Sequence, residues 1–171
     1  MLKNLANAVL FQIGWFACVL GGNSLWLLVT LAVVLLHLSF IGSWQRDGRL
    51  MMMAFALGTV LDSALLKLGV FDFSTTGLVI PLWMALLWPL LASTLNHCLA
   101  WTAKPLWLAS LLGAVSGPAS YVAGSHLADV QLPLGLWPSL LILGAIWAVM
   151  FPALHWLAGY LRNSPDRQLS T

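Results

Sequence analysis

The chain has 171 residues, of which 61% are hydrophobic and only 7% charged, with seven Lys+Arg set against five Asp+Glu. Soluble globular domains carry charge on about a quarter of their residues, so a chain with a mean hydropathy of +0.94 belongs in a membrane. A formal net charge of +2 supplies no basic footprint for nucleic acid. Cys18 and Cys98 both fall in apolar runs and fit neither a disulfide framework nor a metal knuckle.

Apolar runs separated by turn residues predict an all-α, polytopic integral membrane protein with six transmembrane helices in one domain over residues 1–162. The first, about residues 5–20, follows Lys3 and has no small-x-small cleavage site behind it, so it reads as a retained helix. Gly21, Gly22, Asn23 and Ser24 turn the chain into a second helix at about residues 25–41, antiparallel to the first. The polar segment Ser43 to Arg49 reads as a loop, and a third helix at about residues 50–71 carries Asp62 and Lys67. Lys67 stands about 140° round an ideal helix from Asp62 and is expected to snorkel outward.

The fourth helix, about residues 78–103, contains LWMALLWPLLASTLNHCLAW, with Ser93, Thr94, Asn96 and His97 in its last third. Burying an amide and an imidazole in hydrocarbon is costly unless each finds a partner, so these side chains are expected to face other helices or a polar cavity. Pro105 restarts the chain as a fifth helix at about residues 105–124, and Pro138 opens a sixth at about residues 138–161, before a polar tail at 163–171. Pro89, Pro118 and Pro152 remove backbone donors and are expected to kink helices four, five and six. Small residues at Ala109, Gly113 and Gly117, and again at Ser116, Ser120 and Gly124, predict close packing on two faces and a central place for the fifth helix.

Placing both termini in the cytoplasm puts Lys3, Arg46, Arg49, Lys104, Arg162 and Arg167 on that side and leaves only Lys67 elsewhere. In that orientation Gln12, His37, Asn96, His97 and His155 lie roughly 5 to 8 residues inside the cytoplasmic ends of their helices. Asn96 turns toward a neighbouring helix, within reach of Gln12. Asp62 lies deeper, level with Pro89, Ser116, Gly117 and Pro118. It reads either as a proton-coupling carboxylate or as a structural residue hydrogen-bonded to Ser116 or Tyr121.

The candidate functional residues are therefore Gln12, Asp62, Asn96, His97, Ser116 and Tyr121, with a histidine layer of His37, His97 and His155. The three histidines come from three helices without a paired-ligand spacing or an accompanying second carboxylate, so no metal and no cofactor is expected. His126 reads as a solvated loop residue. The string GAVSG around Ser116 does not make a serine protease, because it lacks the glycine two places before the serine that rhomboid proteases use.

The strings NLANAVLFQIGWFACVLGG, LLWPLLASTLNHCLAW and LLGAVSGPASYVAG resemble those of a bacterial inner-membrane family known as domain of unknown function family 2878, over Asn4 to about Leu161. The matching positions are Phe11, Gln12 and Trp15, then Thr94, Asn96 and His97, then Gly117, Pro118 and Tyr121. The resemblance implies a multi-pass location in the bacterial cytoplasmic membrane. It also implies genes set near those of cyclopropane-fatty-acid-synthase-like methyltransferases and flavin oxidoreductases, and with them a setting of lipid modification or envelope stress. Membrane lipids and lipid-modifying enzymes are the expected partners, and an accessory part in lipid modification or envelope maintenance the expected function. A proton-coupled or small-solute transporter using Asp62, and a membrane-embedded metal-dependent enzyme using the histidines, are the alternatives.

Overall fold

Backbone groups in lipid must be satisfied within the chain, and helix does this along most of the sequence. The computed structural model describes residues 1–73, 77–128 and 130–163. It contains α1 (Leu2–Gly21), α2 (Leu27–Leu36), α3 (Arg49–Lys67), α4 (Leu82–Ala85), α5 (Leu87–Leu95), α6 (Leu106–Leu127) and α7 (Leu136–Asn163). Between the described residues there is no strand, only one isolated antiparallel bridge, Asp72 to Gln131. Parts of the two loops at 72–77 and 125–137, and the expected polar tail beyond Asn163, lie outside the described residues.

α1, α3 with the turn before it, α6 and α7 are long and apolar enough to cross a membrane, whereas Leu27–Ile41 and Leu82–Leu95 are shorter apolar stretches. The six expected helices thus divide into four of crossing length and two short ones. Large apolar side chains such as Leu31, Val60, Val115, Leu141, Val149 and Trp156 are exposed on the outside of the bundle, as a lipid-facing surface requires.

α3 ends four residues earlier than expected. Gly69 takes φ +69°, and the Gly69 and Val70 amides donate to the carbonyls of Leu66 and Leu65. This glycine-dependent stop turns the chain so that Phe71 is fully buried.

The expected continuous helix over 78–103 is instead broken twice. Pro89 has no N–H for the Ala85 carbonyl, and the helix is interrupted at Leu86, between α4 and α5. At the other end the Ser93 and Thr94 hydroxyls donate to the carbonyls of Leu90 and Leu91, at 2.6 Å each. Such back-bonding competes with the helical ladder, and α5 stops at Leu95, to be followed by a short 3-10 turn at Ala100–Ala103. α6 and α7, by contrast, run on through Pro118 and Pro152. The Ala114 carbonyl that Pro118 leaves without a helical donor lies against Gly144 of α7, 3.3 Å from where a Cβ would stand.

The central element is α5, not the fifth expected helix. Seven consecutive or near-consecutive residues from Trp88 to Leu95 are buried, and α5 touches α1, α3, α4 and α7. α6 packs chiefly along α7. A side chain at Gly113 would meet the Trp147 carbonyl and Phe151, and one at Gly117 would meet the Trp147 ring, so the small residues of α6 serve one close contact. Its other face, with Ser116 and Ser120, lines a cavity.

The segment expected to be a polar loop, Ser43 to Arg49, is folded. α2 continues as a π-helical turn, His37–Ile41, and a second such turn, Trp44–Gly48, leads into α3 with Asp47 and Gly48 buried.

Candidate functional site

Asp62, on α3, is 1% exposed. Its Oδ1 accepts from the Tyr121 hydroxyl of α6 at 2.6 Å and its Oδ2 from the Trp88 Nε1–H of α5 at 2.7 Å. Of the two partners expected for Asp62, Tyr121 is present; Ser116 gives way to Trp88. Trp88 is fixed by packing. Its ring stacks on Trp147 with centroids 5.1 Å apart and planes 12° apart, and Gly58 leaves the space that the ring occupies, as Gly117 does for Trp147. No cation pairs with Asp62 among the described residues, and Lys67 is exposed.

Asp62 forms part of the wall of a cavity of ≈ 480 Å³ between α1, α4, α5, α6 and α7. That volume lies within the roughly 300–1,000 Å³ of small-molecule sites. Phe11, Trp15, Trp83, Leu87, Leu112 and Phe151 make most of its surface apolar. Gln12 on α1 and Ser116 on α6 also line it, and both are exposed, so the cavity opens to the surroundings between these two helices. One hydrogen bond crosses that opening, from Trp15 Nε1–H to Ser120 Oγ at 3.4 Å.

The second cluster is built around Asp47, which is fully buried. Oδ2 accepts from the Ser43 amide at 2.9 Å and from Arg46 Nη2 at 3.1 Å, and Oδ1 accepts from Asn96 Nδ2 at 3.0 Å. His97 Nε2 is 3.4 Å from Oδ2. Asn96 and His97 do come together, but their partner is Asp47 rather than Gln12. Gln12 is mid-helix in α1, and the residue of α1 that reaches this layer is Asn7. Its Nδ2 donates to the Ser93 carbonyl at 3.1 Å and faces His37 Nδ1 at 3.2 Å, while its Oδ1 accepts the Cys98 amide at 3.2 Å.

The histidine layer separates. The His37 and His97 rings meet edge to face with centroids 5.0 Å apart. His155 sits elsewhere, its Nε2 2.7 Å from Thr102 Oγ1 and its ring against Phe151. Since the Thr102 hydroxyl donates to the Leu99 carbonyl, His155 Nε2 carries the proton of that contact. His126 is exposed, in the last turn of α6.

His37, Asp47 and His97 bring ligand-type atoms within 4.8 Å of one another, and both Nε2 atoms are buried without a hydrogen-bond partner. Asp47 is the carboxylate that the sequence reading lacked. The surroundings nevertheless oppose a cation. The two backbone contacts of Asn7 fix its amide so that it donates to His37 Nδ1, which leaves the His37 proton on Nε2, the atom that would have to bind the ion. Arg46 already holds the carboxylate. The cluster is a closed ion-pair knot that ties the π-helical turn to α5, with Asn7 tying α1 to the same end of α5.

A family model described as "Protein of unknown function (DUF2878)" matches residues 4–153. The chain belongs to the DUF2878 family. That description assigns no activity, so membership leaves the chemistry of this DUF2878 protein to its geometry. No curated protein and no solved structure matches it.

Asp47, Trp88 and Asn7 are cluster residues that do not stand out in the sequence. Asp47 stood in an apparent loop, and its signal is the pair of flanking glycines. A side chain at Gly42 would meet the Asp47 carboxylate and His37, and one at Gly48 would meet Trp44. Trp88 is one of ten tryptophans, and the glycine it packs on, Gly58, does not single it out, since Gly48 and Gly117 lie against Trp44 and Trp147 in the same way.

Proposed function

We propose that this DUF2878 protein is a multi-pass protein of the bacterial cytoplasmic membrane that holds the apolar chain of a membrane lipid, as an accessory to lipid modification or envelope maintenance. The observation that carries the reading is the ≈ 480 Å³ apolar cavity with its side opening between α1 and α6. An occupant reaching such a cavity from the bilayer never has to leave hydrocarbon. Aromatic walls suit a flexible chain, since they offer contact area without directional demands. The lipid-modifying partners are those the family resemblance implies.

The same reading has six spans and both termini in the cytoplasm. It is supported by the basic residues Lys3, Arg46, Arg49, Lys104 and Arg162 at one set of helix ends against Lys67 at the other. The two shorter stretches complete their crossings with the folded turns that flank them.

A second reading, a proton-coupled transporter, rests on Asp62 alone: a buried carboxylate without a cation on the wall of a cavity. The chain-holding reading is preferred because both oxygens of Asp62 are already occupied by donors.

Native mass spectrometry of the protein in mild detergent tests the proposal. The wild type is expected to retain lipid, and Ser116→Trp, which fills the opening from an exposed position, to lose most of it while remaining folded. A lipid-free wild type, or undiminished retention in the variant, rejects it. Reporter fusions after Arg49, Lys104 and Arg162 are expected to report cytoplasm, and one at Asn23 the far side.

A further inference from the structure

A second cavity, ≈ 410 Å³, opens where the 3-10 turn Ala100–Ala103 meets the start of α6 and the end of α7. α6 and α7 are antiparallel neighbours, so Lys104, just before α6, and Arg162, in the last turn of α7, arrive at the same end of the bundle. Both line the cavity and both are exposed. Among the described residues no acidic side chain lines it, and neither cation forms an ion pair.

The other polar groups there are already engaged. Asn96 donates to Asp47, whose charge Arg46 balances, and His155 donates to Thr102. The unbalanced charge of this cavity is therefore that of the two cations. An ammonium and a planar guanidinium converging on one place suit a phosphate group, which the guanidinium grips with two parallel hydrogen bonds.

This cavity adjoins the apolar one. Trp101, 63% exposed, lines both. Thr102 lines the apolar cavity, while its hydroxyl holds His155, which lines the charged one. Exposed Trp107, Trp156 and Tyr160 surround this end of the bundle, the kind of aromatic belt found at the level of lipid headgroups.

We propose that the two cavities are the two halves of one site for an anionic phospholipid, with its phosphate between Lys104 and Arg162 and one acyl chain passing over Trp101 into the apolar cavity. The inference rests on the chain-holding reading above and adds the headgroup to it. Basic pockets at helix ends on the cytoplasmic side recognise anionic headgroups by the same physics.

The test compares phosphatidylglycerol with phosphatidylcholine of identical chains, titrated onto the full chain in mild detergent, with inorganic phosphate as competitor. Phosphatidylglycerol is expected to bind roughly thirtyfold more tightly, as two cations near an anionic headgroup imply. Lys104→Gln with Arg162→Gln is expected to weaken both lipids, which share the phosphate, and to remove the difference between them, leaving thermal stability unchanged because both side chains are exposed. Ser116→Trp is expected to weaken both lipids together. Equal affinity of the wild type for the two lipids, or a preference that survives the double variant, overturns the headgroup assignment while the chain-holding reading stands. Displacement of phosphatidylglycerol by equimolar phosphate also overturns it, and marks a site for the free anion. Failure of both lipids to bind removes the chain-holding reading and this inference with it.

Discussion

Asp47 and Asp62 are both almost wholly buried, yet the chain treats them in opposite ways. Asp47 has a guanidinium at 3.1 Å, an amide side chain and a backbone N–H on its carboxylate. Asp62 has two neutral donors, an indole and a phenol, and beyond them an apolar cavity. Burying a charge is tolerable when a countercharge and hydrogen bonds come with it, and Asp47 has both. Its environment is complete without any further molecule. Asp62 has hydrogen bonds but no countercharge among the described residues, and of the two carboxylates it is the one on the wall of the apolar cavity.

The largest expected effect follows from removing the better-paired carboxylate. Asp47→Ala leaves Arg46, Asn96 and the Ser43 amide without their acceptor at once; Arg46 is 30% exposed and can turn to water, so the loss is that of the buried donors, about 1–3 kcal/mol for each one left unsatisfied. Thermal unfolding in detergent is expected to show a clear loss of stability, with reduced yield. A variant as stable as the wild type would erase the distinction drawn between the two carboxylates.

Two substitutions at Asp62 sharpen the comparison. Asp62→Leu strands the Trp88 N–H and the Tyr121 hydroxyl, at about 1–3 kcal/mol for each group left unsatisfied. Asp62→Asn can keep both contacts: its carbonyl accepts from Trp88 and its amide donates to the Tyr121 oxygen, which a hydroxyl permits. The expected order of melting temperature is therefore wild type and Asp62→Asn close together, with Asp62→Leu well below. Retained lipid binding in Asp62→Asn favours a chain-holding site. Were a pH-dependent uptake activity found and lost in that variant, the transporter reading would gain. Strong destabilisation of Asp62→Asn would show that the carboxylate needs its charge for folding.

Helix existence was legible in the long apolar runs, which in lipid have no alternative to helix, but not in the polar Trp44–Gly48 turn. Helix interruption was less legible. All three prolines were expected to bend their helices; at Pro89 the helix is interrupted outright, whereas α6 and α7 stay continuous through Pro118 and Pro152, supporting each other through Gly113, Gly117 and Gly144. That compensation depends on which helix lies alongside, and one-dimensional periodicity does not carry it. The pairing of Asp62 with Tyr121 was legible because few groups in lipid can partner a carboxylate. Asp47 was hidden by its polar neighbours, and its partners lie on another part of the chain, with Asn96 49 residues away.

The smallest expected effect separates two amides of the same helix, of which the sequence singles out only Gln12. α1 begins at Leu2, about a turn earlier than the apolar run implies, and this moves the polar layer from Gln12 to Asn7. Asn7 is 1% exposed and its amide spans α5, the following turn and His37. Gln12 is exposed at the mouth of the cavity and has no recorded side-chain partner among the described residues. Asn7→Leu is expected to cost about 1–3 kcal/mol, since the Cys98 amide and the Ser93 carbonyl lose their partner. Gln12→Leu, at a surface position away from any such network, is expected to stay within about 0.5 kcal/mol of the wild type. Measured side by side in the same detergent, the pair asks whether polarity along α1 serves the knot or the cavity. Equal losses would mean that Gln12 has a structural partner and that the opening between α1 and α6 is closed in solution. An unchanged melting temperature for Gln12→Leu, together with unchanged or tighter lipid retention, is what an apolar site open to the bilayer requires, because the substitution only extends its hydrocarbon wall.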